Sequence, residues 1–321
     1  VPGQEEDRRT VDELITLYMV APDVQDIFTE GRSDRNFLQE HLLGEDMPAL
    51  CTVYAVSDRV HIPDGELISS GLMVGERGRI LWLARQLAEK CPKHSSAILV
   101  ADKDFASLGA DAGEDIHGLL YTDYSSMEAY ALNERTISKL LRISLGVPDY
   151  VTPSMLISAI KQALVSLFLI RLLLRDSGTG ATIPPKMLSK WDIDDQSESK
   201  VKEVLRLALQ GISAGERNGV TPDSLYLQYA EYERGLGEEF RNYINGHDVS
   251  LAIVRFLKAE CGQVFNRDGR RALQDPEVLE VVMMSCVEKS HVDAEPMFQA
   301  LQKWVQSEAQ NAKEEIDVQP G

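Results

Sequence analysis

The stretch Ile27-Phe28-Thr29-Glu30-Gly31-Arg32-Ser33-Asp34 reads as a short apolar strand that ends in an acid and a glycine just before a helix. Outward from it, β-rich apolar runs at 24–29, 50–56, 97–101 and 119–122 alternate with helical spacing at 33–43 and 79–90. Strand, helix, strand, helix, strand predicts an α/β fold with a mainly parallel sheet. Beyond residue 125 the apolar spacing becomes helical, as in Ile137, Leu140, Leu141 and Leu145, and the remainder is expected to be mostly α. The expected organisation is therefore an α/β domain over 1–130 and a helical domain over 131–321 that contacts a partner, a second copy or a substrate.

Breaks fall at 177–185, 211–222 and 235–237, where Gly and Pro gather, and the tail after Gln306 is polar enough to fray. The chain has 321 residues, 44% of them hydrophobic, which is enough to bury a full core and excludes a disordered polypeptide. Its 33 Lys and Arg against 51 Asp and Glu leave a net charge of −18, which argues against loose, sequence-independent gripping of nucleic acid. Four scattered cysteines form no zinc-type spacing and suit a reducing compartment. No apolar run reaches the roughly 18 residues of a bilayer span. No charged-then-apolar leader pattern opens the chain, so no membrane association and a cytoplasmic location are expected.

The carboxylate of Glu30, at a strand's C-terminal end, is expected to face the crevice where open α/β sheets bind ligands. Gly31 lets the chain turn there, and Asp34, about one helical turn on, faces the same crevice or simply caps the helix. Ile98-Leu99-Val100-Ala101-Asp102-Lys103-Asp104 ends a second apolar run in acids. In an extended segment Asp102 and Asp104 point the same way, and a divalent cation relieves their repulsion. Hard oxygen ligands favour Mg²⁺ or Mn²⁺. The rival reading is a solvated turn.

A third strand-to-helix passage, 119–128, carries Asp123 and Glu128; Asp123 is a metal-site accessory or a helix cap, and Glu128 a metal group or a first-turn dipole partner. His247 and Asp248 in Asn245-Gly246-His247-Asp248 are accessory site residues or a helix-capping pair. Gly75-Glu76-Arg77-Gly78-Arg79 at a helix start reads either as a site where Arg77 and Arg79 hold a substrate phosphate or as a flexible surface loop. There is no GxxxxGK[ST] loop, no GxGxxG after the first strand and no GxSxG elbow.

Glu30-Gly31 after one strand and Asp102-x-Asp104 after a later one together resemble the TOPRIM domain of topoisomerases, primases and OLD-family nucleases, over about residues 24–130. The resemblance implies Glu30, Asp102 and Asp104 as catalytic metal ligands with Mg²⁺ or Mn²⁺, and adds Asp34, four positions after Glu30, to the metal site. The 119–128 phrase with 245–248 is similar to a TOPRIM-like family that holds AriB-type effectors of PARIS anti-phage defence. That likeness implies a toxic nuclease kept inactive by an ABC-type ATPase partner, dimeric when active, with RNA such as tRNA favoured over DNA. The expected activity is metal-dependent phosphodiester hydrolysis, Glu30 serving as ligand or general base and Asp34 and Glu128 supporting a second ion. Alternatives are a DNA endonuclease, a primase-type nucleotidyl transferase, or a non-catalytic interaction module whose carboxylates are structural.

Overall fold

A computed structural model describes residues 8–43, 51–91, 96–109, 113–188, 191, 193–267 and 269–317. Four parallel strands, β1 (Gln25–Thr29), β2 (Cys51–Ala55), β3 (Ala97–Ala101) and β4 (Leu119–Tyr121), form one sheet in the order β2-β1-β3-β4. All four were predicted to within a residue or two at each end. Phe28 pairs with Tyr54 on one side and Leu99 on the other, and Ala101 pairs with Tyr121. The chain leaves β1 toward β2 and then returns to build outward from β1's other edge, so the strand order reverses between β1 and β3. That reversal opens a crevice beyond the strand ends, where such sheets bind ligands.

Two units divide the chain. The first comprises Val1–Lys103, Gly113–Asp123 and Glu288–Gly321, and the second Asp104–Ala112 and Tyr124–Val287. The expected single boundary at 130 is replaced by interleaved segments, because the last helix, Pro296–Asp317, belongs with the sheet. Phe298 meets Phe37 edge-on with ring centroids 6.1 Å apart, a long-range contact that no local pattern announces.

In the first unit Phe28, Leu99 and Ala101 share a core with the helices Val11–Val20 and Glu76–Lys90. The alternate positions Ile27, Ile98 and Val100 are buried too, so both sheet faces are covered, as a parallel sheet requires. The Glu76–Lys90 helix starts three residues earlier than its apolar spacing predicts. Gly78 makes this first turn possible, since a Cβ there would sit 2.0 Å from the Met73 carbonyl oxygen. The helix predicted at 33–43 runs from Arg32 to Leu38 and widens to a π turn over Gln39–Leu43.

Asp26 lies inside β1, only 2% exposed, and accepts a 2.9 Å hydrogen bond from the Tyr18 hydroxyl. Burial pushes its carboxyl above the ordinary range, while the Tyr18 bond, Arg59 and Arg9 offset part of that. The folded chain therefore holds this proton more tightly than the unfolded chain. Stability from this group is lost as pH rises from the ordinary carboxylate range through the raised value. Asp26→Asn keeps an acceptor for Tyr18 and removes the charge. In urea denaturation it is expected to equal wild type near pH 3 and exceed it at pH 7.

The second unit is helical. Pro153–Asp176 is, by length and composition, long and apolar enough to span a bilayer, with mean hydropathy 1.9 over its most apolar 18-residue window. Of that window 67% is buried. Leu167, Phe168, Leu169 and Leu173 pack there with Val201, Leu205, Leu225 and Tyr229 of the helices Glu198–Leu209 and Pro222–Arg234. Thr152 caps its start and Pro153 occupies the first turn, where no amide is needed.

Candidate functional site

In the first unit, the Asp102 N–H donates to Glu30 Oε1 at 2.9 Å. Glu30 follows β1 and Asp102 follows β3, and these strands are hydrogen-bonded neighbours, so residues 72 apart in sequence meet at the strand-order reversal. The turn after β1 is fixed by Thr29 Oγ1, which donates to the Gly31 carbonyl at 2.9 Å. Arg77, in the first turn of the Glu76–Lys90 helix, donates to the Asp102 carbonyl and places its guanidinium 3.8 Å from Glu30 Oε1. The Glu30 side chain is 19% exposed and that of Arg77 25%, so water reaches both. The guanidinium also lies over the Tyr121 ring at the end of β4, 5.9 Å from its centroid.

Other expected members serve the fold. Asp34 accepts from the Gly31 N–H at 3.0 Å, which is the helix-capping alternative. Arg79 is engaged by Asp64 at 2.6 Å and Glu76 at 3.1 Å, so it meets protein acids where a phosphate was expected. Arg77 likewise faces Glu30. Asp123 accepts the Met297 N–H through both oxygens, at 3.1 and 3.2 Å, capping the Pro296–Asp317 helix and not the one that follows it in sequence.

Asp104 corrects a sequence argument. Strand β3 stops at Ala101, and Asp104 opens a 3₁₀ turn over Asp104–Leu108 with φ of 45°. The alternation that was to align it with Asp102 therefore does not apply. It belongs to the second unit, where its N–H donates to the Ser125 carbonyl at 2.8 Å. Left-handed backbone is unusual outside glycine, and aspartate tolerates it better than most residues.

Glu128 is also in the second unit, on a 3₁₀ turn over Met127–Ala131, 7% exposed. Its neighbours are His247, at the start of the Gly246–Cys261 helix, and Glu280 on the Pro276–Ser285 helix. One ligand atom from each of the three lies within 4.8 Å of the others. His247 Nδ1 is 3.4 Å from Glu280 Oε2, and that bond, with the charges of Glu128, Glu280 and Asp248, pushes the imidazole up to about 9. Burial, and then the Glu280 charge, push the Glu128 carboxyl upward. The Ser126 hydroxyl lies close enough to draw part of that rise back down, yet among the described residues it makes no well-directed hydrogen bond.

Comparison with family models and with characterised proteins returns no match.

Asp248 neither caps its helix nor bonds His247. Its carboxylate, 3% exposed, takes both arms of the Arg171 guanidinium at 2.7 and 3.0 Å. Glu280 and Arg171 escaped sequence reasoning. Each is one of several charges on an otherwise apolar helix, and nothing in its local spacing says which of those charges finds a buried partner.

Gly246 makes the second cluster possible. A Cβ at that position would stand 1.9 Å from Glu128 Oε2 and 2.6 Å from Ser126 Oγ. Gly246→Ala must push a buried carboxylate aside and is expected to lose about 1–3 kcal/mol in chemical denaturation, the usual range for overpacking. An unchanged midpoint would show that Glu128 relocates freely.

Proposed function

We propose that the first unit is a metal-dependent phosphodiesterase of TOPRIM type, acting as a nuclease. The observation that carries the reading is the meeting of Glu30 and Asp102 at the reversal of a parallel sheet, the place where this architecture binds ligands. Glu30 and Asp102 are both only partly buried, and their carboxylates, turned together into the crevice, would make a hard-oxygen donor set of the kind that suits Mg²⁺ or Mn²⁺, with water in the remaining positions. A cation held there supplies Lewis acidity, lowering the pKa of water and offsetting phosphate charge.

The chain's own residues set the frame. The Asp102 amide orients Glu30 through Oε1, and the carbonyl of Asp102 anchors Arg77 beside it. Arg77 holds positive charge at the crevice, where it faces Glu30 and the Asp102 carbonyl. RNA is preferred as substrate, and an anti-phage setting with an ATPase partner is proposed, from the resemblance alone. The competing reading, carboxylates that serve only the fold, is favoured by Asp34 and Asp123, which both cap backbone.

The test is an Mn²⁺ soak with anomalous diffraction, together with Mg²⁺- and Mn²⁺-dependent cleavage of labelled tRNA and duplex DNA. The expected results are a peak at Glu30 and Asp102, and cut RNA. Cut DNA with intact RNA would retain the hydrolase and change its substrate. A silent crevice, with neither peak nor cleavage, would overturn the reading in favour of structural carboxylates.

A further inference from the structure

We infer that the second unit holds a transition-metal site formed by Glu128, His247 and Glu280, chemically distinct from the all-oxygen crevice at the strand ends and independent of the phosphodiesterase reading. Three separate elements deliver these residues: the Met127–Ala131 turn and the N-terminal and middle parts of two packed helices. Their ligand atoms already lie within 4.8 Å of one another. A tetrahedral ion with bonds of about 2.0–2.2 Å brings ligand atoms to about 3.4 Å apart. The His247 side chain is 81% exposed and can rotate the remaining distance without disturbing the core.

An independent observation points to a ligand at the same place. The Ser126 hydroxyl is buried, its residue 6% exposed, and among the described residues it makes no well-directed hydrogen bond. It and Glu128 Oε2 both face the space beside Gly246, directly before His247. A buried polar atom left unpaired is costly, and a bound ion with its water offers that hydroxyl a partner. Charge leads to the same conclusion. Glu128 is buried near a second carboxylate, and Arg171 on the Pro153–Asp176 helix is committed to Asp248. His247 is the cation that acts on Glu128, and a metal ion bound through its imidazole displaces that proton and takes over the balancing charge.

One imidazole and two carboxylates select the metal class. Imidazole nitrogen favours Zn²⁺ and its transition-metal neighbours over Mg²⁺, whereas the Glu30–Asp102 pair offers only oxygen. An ion held by three elements would act as a clamp on the helical unit, binding the folded state and not the unfolded one.

The test uses the full chain after chelator treatment. Zn²⁺ binding is measured by titration in excess Mg²⁺, Co²⁺ binding by its visible absorption, and melting temperature with and without Zn²⁺. Wild type and Glu30→Gln should each bind one Zn²⁺ and melt at a higher temperature with it. His247→Ala alters an exposed side chain and Glu280→Gln is nearly isosteric at one that is 15% exposed, so they are chosen over the more deeply buried Glu128. Both should keep the native circular dichroism, lose Zn²⁺ affinity at least about tenfold and lose the thermal shift. Undiminished binding in both variants, or no Zn²⁺ binding by wild type, would overturn the site and leave His247 as the counter-ion of the two glutamates. Loss of binding in Glu30→Gln, with retention in His247→Ala, would move the metal to the strand-end crevice.

Discussion

Replacing Glu30 by Gln should lower metal-dependent cleavage at least about a hundredfold while leaving the fold intact. The substitution is nearly isosteric. The amide oxygen of Gln still accepts from the Asp102 N–H, so the 2.9 Å contact between the ends of β1 and β3 survives. What disappears is the negative charge, and with it the attraction for a divalent ion and for the Arg77 guanidinium 3.8 Å away. Asp102→Asn should behave alike, because its backbone, not its side chain, holds Glu30 and Arg77. The decisive comparison is single-turnover cleavage over a range of Mn²⁺ concentrations, with melting temperature as the control. A loss that excess Mn²⁺ partly restores marks Glu30 as a ligand. Cleavage equal to wild type in both variants would remove the assigned site.

Asp248→Ala is the second large effect, and it concerns stability. The carboxylate is 3% exposed and holds Arg171 in a two-pronged pair, so its removal strands a guanidinium in the helical unit. Breaking such a pair from one side costs about 3–5 kcal/mol, and the 28% exposure of Arg171 sets the expectation toward the lower end. Arg171→Met alone should cost a similar amount by leaving Asp248 unpaired. Arg171→Met combined with Asp248→Leu should recover much of the loss, since apolar groups of similar volume replace a buried ion pair at little net cost. Urea denaturation of the four proteins closes the cycle. If both single variants match wild type, the pair is a surface decoration and Asp248 is open to another role.

Strands β1 to β4 follow from their own residues. Runs such as Ala97–Ala101 are β-branched or apolar, too short for helices, and bounded by polar turns, so local preference and burial agree. The junction at Glu30-Gly31 was equally readable, because an acid and a glycine between strand and helix have few structural uses. The roles of Asp34, Asp123 and Asp248 were not. All three are acids near helix starts, and whether such an acid caps its own helix, caps another or pairs with an arginine depends on what packs beside it. Asp123 caps Pro296–Asp317, 174 positions away at Met297, and Asp248 reaches back to Arg171.

Composition and periodicity thus dictate the kind of each segment: a parallel sheet early, helices later, acids at the strand ends. Turn residues and side-chain spacing act over a few positions, and that is the range over which such patterns carry information. The pairing of β1 with β3, the backbone turn that takes Asp104 out of strand alternation, and the convergence of Glu128, His247 and Glu280 are set by contacts between distant segments. Those contacts are chosen by whole-chain packing, where burying apolar surface and leaving each buried charge with a partner must be met together.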